Sequence, residues 1–107
     1  MNKFYSKTAQ SDIDEIFVYI AKQSDTSISD VVIDSIIGTC DLIGDFPEMG
    51  RRRPEFDDFG YEVRSIAEGS YMILYTVTSV GVHVVRVVHG ARDIDSSDLY
   101  PLADATL

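Results

Sequence analysis

The sequence has a single cysteine, Cys40, and one thiol makes no internal disulfide. Long apolar runs are missing too. No stretch approaches the ~20 residues that cross a bilayer, and the opening MNKFYSKTAQSD holds no apolar run of signal-peptide length. These absences lead to the expectation of a cytoplasmic protein in a reducing compartment. Positive charge is scarce and segregated. Nine Lys and Arg stand against 18 Asp and Glu, for a net charge of −9. All lysines lie at positions 3–22 and all arginines at 51–92. Long-range attraction to nucleic acid is not expected, because it rests on clustered Lys and Arg, nor is direct DNA binding by the chain alone. P-loop, GxGxxG, HExxH and CxxC spacings are absent. His83 and His89 sit on one strand roughly 20 Å apart at ~3.3 Å per residue, too far to share an ion. No metal or cofactor is expected.

What is present is a foldable chain. Its 107 residues, 45% hydrophobic, suit one domain over 1–107 that buries roughly two-thirds of its unfolded surface. No repeat, linker or low-complexity tract interrupts it. Residues 2–5 fit a short strand. Ser6 and Thr8 are candidate helix caps, and Asp12, Asp14 and Glu15 follow as dipole-compatible acids. Ala9, Ile13, Ile16, Phe17 and Ile20 keep a helical stripe over about 8–23. Ser27 with Asp30 resembles a capping box. Ile28, Val32, Ile36, Cys40 and Ile43 then carry a second helix from about 27 to 45, stopped by Phe46–Pro47. After a loop at 47–60 the period becomes two. Strands are read at 61–66, 71–77 and 82–89, joined by short turns into an antiparallel meander. A loosely held tail is expected from about 94, with Tyr100 and Leu102 able to dock back. The fold class is therefore α+β: an N-terminal helix hairpin packed on one face of a three- to four-stranded antiparallel sheet. The other face is expected to be partly open and to carry function.

The candidate functional residues are mostly arginines. Arg51, Arg52 and Arg53 form the densest positive charge, either a solvated loop or a contact for an acidic partner, since the planar guanidinium suits carboxylates and phosphates. Arg64 and Arg86 come from strands. Arg86 alternates with Val84 and Val88, with Glu62 as its expected salt-bridge partner. Arg92 lies beside Asp93, either a local ion pair or a ligand contact. His89 precedes Gly90 and reads as a structural corner, the glycine being free to take positive φ. Cys40 reads as a small buried core residue rather than a nucleophile.

Four segments together resemble one family. SKTAQSDIDEIFVYIA (6–21), DLIGDFPEMGRRRPEF (41–56), YEVRSIAEGSYMILYTV (61–77) and VHVVRVVHGARD (82–93) are similar to the RelE/ParE superfamily of bacterial toxins from type II toxin–antitoxin modules. The resemblance is strongest to the ParE branch. It implies a toxin that inhibits DNA gyrase, is not an enzyme, and is neutralised by a ParD-like antitoxin in a hetero-oligomer. The alternatives are a RelE-type ribosome-dependent mRNA endoribonuclease and an inactive regulatory homologue. In the ribonuclease branch the first meander strand carries two lysines spaced by one residue, and here those positions hold Glu62 and Arg64. An arginine expected after Tyr71 is Met72, and the arginine after the last strand is matched by Arg92. Scission of RNA builds negative charge that preorganised cations must stabilise, and one lost donor costs ~3–4 kcal/mol. An anion at Glu62 opposes that chemistry, so partner recognition by Arg51, Arg52, Arg53, Arg64, Arg86, His89 and Arg92 is the expectation.

Overall fold

The computed structural model describes residues 1–99. Its elements run β1 (Lys3–Tyr5), α1 (Lys7–Gln23), α2 (Thr26–Asp45), β2 (Arg51–Arg52), β3 (Val63–Glu68), β4 (Tyr71–Thr78) and β5 (Gly81–His89), with 3-10 turns at Pro54–Phe59 and Ser96–Leu99. The α+β class and the helix hairpin are as expected. The sheet is larger: five strands in the order β1-β5-β4-β3-β2. The meander β3–β4–β5 and the short β2 are antiparallel, whereas β1 runs parallel to β5 with Lys3, Phe4 and Tyr5 opposite Val82, His83 and Val84.

Local chemistry sets the helix starts. Ser6 caps α1, its Oγ accepting from the Ala9 amide at 2.9 Å and donating to the Val85 carbonyl at 2.8 Å. The same hydroxyl therefore ends β1 and starts α1. The second cap is Asp25, not Ser27. The Asp25 carboxylate accepts from the Ile28 amide at 2.9 Å and from the Ser27 hydroxyl at 2.6 Å, and these bonds hold it below the usual carboxylate range. An ionised acceptor is the stronger of the two. The strand read at 61–66 is displaced to Val63–Glu68.

A β-bulge in β5 changes which residues share a face. Leu74 pairs with Arg86 while Tyr75 pairs with Val84, so Val85 is the extra residue. Val82, Val84 and Val87 pack with Ile73, Tyr75, Ile36, Cys40 and Ile43 under the helices. Val85 and Val88 pack with Leu74, Val63, Phe56 and Leu99 on the opposite face. Arg86 therefore does not share a face with Val84. The two histidines part company as well, His83 opposite Thr76 and His89 opposite Tyr71.

The second face is not open. The two 3-10 turns cover it, contributing Phe56 and Leu99, each 2% exposed. Side chains buried to that degree contribute roughly 1.5–3 kcal/mol each, enough to hold these irregular segments down. The stretch 94–99, read from the sequence as the start of a loose tail, is thus packed. Tyr100 and Leu102 lie outside the described residues. Among the described residues, no helix is long and apolar enough to cross a membrane.

Candidate functional site

The arginines divide between the two faces of the sheet. Arg64 pairs across the strands with Tyr75, on the helix face, and Arg86 with Leu74, on the other. Strand β4 lies between them. The seven sequence candidates do not converge on one point, and most have structural duties.

Arg86 is held by Asp12. Its Nε and Nη2 donate to the two carboxylate oxygens at 2.7 and 2.9 Å, and Nη1 donates to the Asp98 carbonyl at 2.8 Å. The Asp12 hydrogen bonds are the main reason the guanidinium pKa is raised. Asp12 also accepts from the Val87 amide at 3.0 Å. Beyond Val84, β5 has lost its β1 neighbour, and the Asp12 carboxylate takes over the ladder bond. The expected Arg86–Glu62 bridge is therefore replaced by a pair with α1. From the sequence Asp12 reads only as a dipole-compatible acid, not as the structural partner of Arg86. Its signal is its phase: three residues after Ala9 and four before Ile16, on the apolar stripe.

Arg64 tethers the segment after α2. Its Nη1 donates to the Gly50 and Glu48 carbonyls at 2.8 and 3.1 Å, while its Nε donates to Glu62 at 3.2 Å. Tyr75, buried, completes the tether: its hydroxyl donates to the Pro47 carbonyl at 2.8 Å and accepts from the Gly50 amide at 2.9 Å. Arg92 pairs with Asp98 at 3.3 Å, not with Asp93. His89 is exposed at the end of β5, its ring edge-on to Tyr71 with centroids 5.8 Å apart. The corner behind it does not use positive φ at Gly90. It is closed by the Gly90 amide on the Ser70 carbonyl and the Arg92 amide on the His89 carbonyl. His89 lines a groove of about 430 Å³ with Tyr19, Val31, Val32 and Tyr71, between the hairpin and the β3–β4 turn.

The arginine triplet is the edge of the sheet rather than a plain loop. Arg51 and Arg52 pair with Ser65 and Arg64 on β3, and no strand among the described residues pairs with their other side. Arg52 bridges Glu62 at 3.2 Å. Arg53 is largely buried, donating to Glu55, Ser65 Oγ and Met72 Sδ and lying over the Phe56 ring. Arg51 is exposed, and its side chain makes no hydrogen bond or ion pair among the described residues, although its charge helps to lower the Glu55 pKa. A groove of about 450 Å³ runs beside this edge, lined by Arg51, Arg53, Ile66, Tyr71 and Met72. Cys40 is fully buried, and burial raises its thiol pKa, which removes it as a nucleophile. No group of three or more His, Cys, Asp or Glu suited to a metal occurs among the described residues.

The family model described as the ParE toxin of the type II toxin–antitoxin system parDE matches residues 4–94. The chain belongs to the ParE toxin family. Its fold is similar to that of a chain from the chromosomal ParDE toxin–antitoxin system of P. aeruginosa, with a TM-score of 0.71 at 14% identity, covering 83% of this chain and 95% of that one. At that identity the likeness is one of fold. Comparison with curated proteins yields no match. Among the described residues of this ParE-family chain, β2 is unpaired on its outer side and carries the exposed Arg51 beside a groove, and the arginines do not gather around one phosphate-sized site.

Proposed function

We propose that this ParE-family toxin acts by binding, with no bond-making or bond-breaking of its own, and that its target is DNA gyrase, held in the DNA-cleaved state so that replication stops. The observation that carries the binding mode is the dispersal of the cations. Arg64 and Arg86 lie on opposite faces of the sheet, and each is spent on protein acceptors. Glu62 sits with Arg64 and Arg52, where a phosphate would need positive charge. That arrangement gives little stabilisation to a phosphorane.

A ParD-like antitoxin neutralises the toxin, and its docking surface is the β2 edge with its groove. An extended segment can add to the free side of β2. Arg51 and Arg53 supply polar contacts to acidic side chains, and Ile66, Tyr71 and Met72 supply apolar burial. Arg51→Ala is the clean probe, since Arg53 is part of the fold. It should weaken the complex about tenfold, on the order of 1.4 kcal/mol, and an unchanged dissociation constant rejects the site. The target is tested by gyrase supercoiling with purified toxin. Inhibition with accumulation of cleaved DNA is expected, and untouched supercoiling at micromolar toxin rejects gyrase. Primer extension on translated mRNA showing cleavage within codons would instead restore the ribonuclease reading.

A further inference from the structure

A different surface of opposite electrical character lies at the end of α2. Residues 46–50 are pinned from below by Tyr75 and Arg64, which together bond the carbonyls of Pro47, Glu48 and Gly50 and the amide of Gly50. Gly50 is required for this close approach, because a Cβ there would lie 2.5 Å from the Tyr75 hydroxyl. On this fixed backbone two large apolar side chains face solvent: Phe46, 60% exposed, and Met49, 39% exposed. They border a groove of about 740 Å³ whose floor includes Val77. Aromatic residues and Met are enriched where proteins meet, and a rigid presentation lowers the entropy lost on binding.

The charges around the groove select its occupant. Asp45, Glu48, Glu62 and Arg64 line it, together with Met1, whose α-ammonium donates to the Gly44 carbonyl at 2.9 Å and offsets part of the acidic charge. Arg64 is engaged by the Glu48 and Gly50 carbonyls and by Glu62, and Glu62 is balanced by Arg52 and Arg64. Asp45 and Glu48 remain, with no ion pair among the described residues. We propose that this groove docks a protein segment presenting an apolar anchor flanked by lysine or arginine side chains. A second copy of the chain, with net charge −9, would set acid against acid, and an anionic lipid surface would be repelled in the same way. The site adjoins the arginine edge, Met49 lining both grooves, and Phe46, Asp45 and Glu48, which line only this one, separate its test from the antitoxin assignment.

The probe is a synthetic amphipathic helix of leucine and lysine, titrated into isotope-labelled protein, with a leucine–glutamate peptide of identical pattern as control. The expected result is chemical-shift change confined to residues 45–49, 62–64 and 77 with the lysine peptide, and none with the glutamate peptide. Phe46→Ser and Met49→Ser should each weaken binding about tenfold, and so should Asp45→Lys combined with Glu48→Lys, each variant keeping the parent melting temperature. Shifts spread along the acidic helices, affinity indifferent to both serine variants, or no binding at all would overturn the proposal. So would self-association in sedimentation that Phe46→Ser abolishes, which would make the occupant a second copy.

Discussion

Asp12 makes one carboxylate serve two partners. It neutralises Arg86 bidentately and closes the β5 ladder at Val87, while 7% exposed. Removing one member of such a pair leaves a buried charge uncompensated, which costs about 3–5 kcal/mol. Asp12→Ala should lower unfolding stability by that order in urea titration, and Asp12→Asn, which keeps an acceptor for Val87, by less. His83 works differently. It is fully buried, stacked on Phe4 at 5.1 Å, with Nε2 at 2.8 Å from the Thr78 hydroxyl and Nδ1 without a hydrogen-bond partner among the described residues. Burial pushes its pKa below the ordinary 6.5, so the folded state holds it neutral. The unfolded chain takes up the proton first as pH falls. Stability from this residue is therefore complete above 6.5 and is lost as pH drops from there through the lowered folded value. Melting temperatures of the parent should fall over that interval more steeply than those of His83→Asn. Parallel curves would remove His83 as the cause.

Among the elements, β1 has the least local support and depends most on a distant residue. It is held to β5 through the Val82 amide on the Asn2 carbonyl at 2.8 Å and through Ser6 on Val84 and Val85. Gly81 makes room for this. Its φ is +148°, and a Cβ would lie 2.3 Å from the Asn2 carbonyl oxygen. Gly81→Ala should cost more than about 1 kcal/mol, seen as a lower melting temperature and faster exchange of the amides in 3–5 and 82–84. The helices, by contrast, were readable from periodicity, because Ala9, Ile13 and Ile16, and then Ile36, Cys40 and Ile43, each lie on one stripe. Their starts were only half readable. Ser6 was a candidate, but Asp25 outcompeted Ser27 through charge. The bulge at Val85 has no local signature, and without it Arg86 reads as alternating with Val84, whose face it does not share.

For the molecule as a whole, charge and burial set how partners are met. Both faces of the sheet are covered, one by the helix hairpin and one by the two 3-10 turns, which is why the β2 edge and the grooves are the surfaces proposed for recognition. The net charge of −9 repels any acidic partner at long range, while Arg51 attracts it at contact. If the antitoxin segment is acidic, association should quicken as salt is raised toward physiological strength, because screening removes the repulsion first over distances near the ~8–10 Å Debye length. Stopped-flow association rates that fall with salt would show local attraction to dominate instead.

The order of apolar and polar residues was sufficient to determine the helix hairpin, the three-strand meander, the buried Cys40 and the likeness to one toxin superfamily, since each depends on spacing within a short window. Which carboxylate meets Arg86, which strand flanks β5, what covers the second face and which arginine stays free were decided only by tertiary structure. Those outcomes join residues from opposite ends of the chain, and a single unpaired residue in β5 is enough to reverse the facing of every side chain after it.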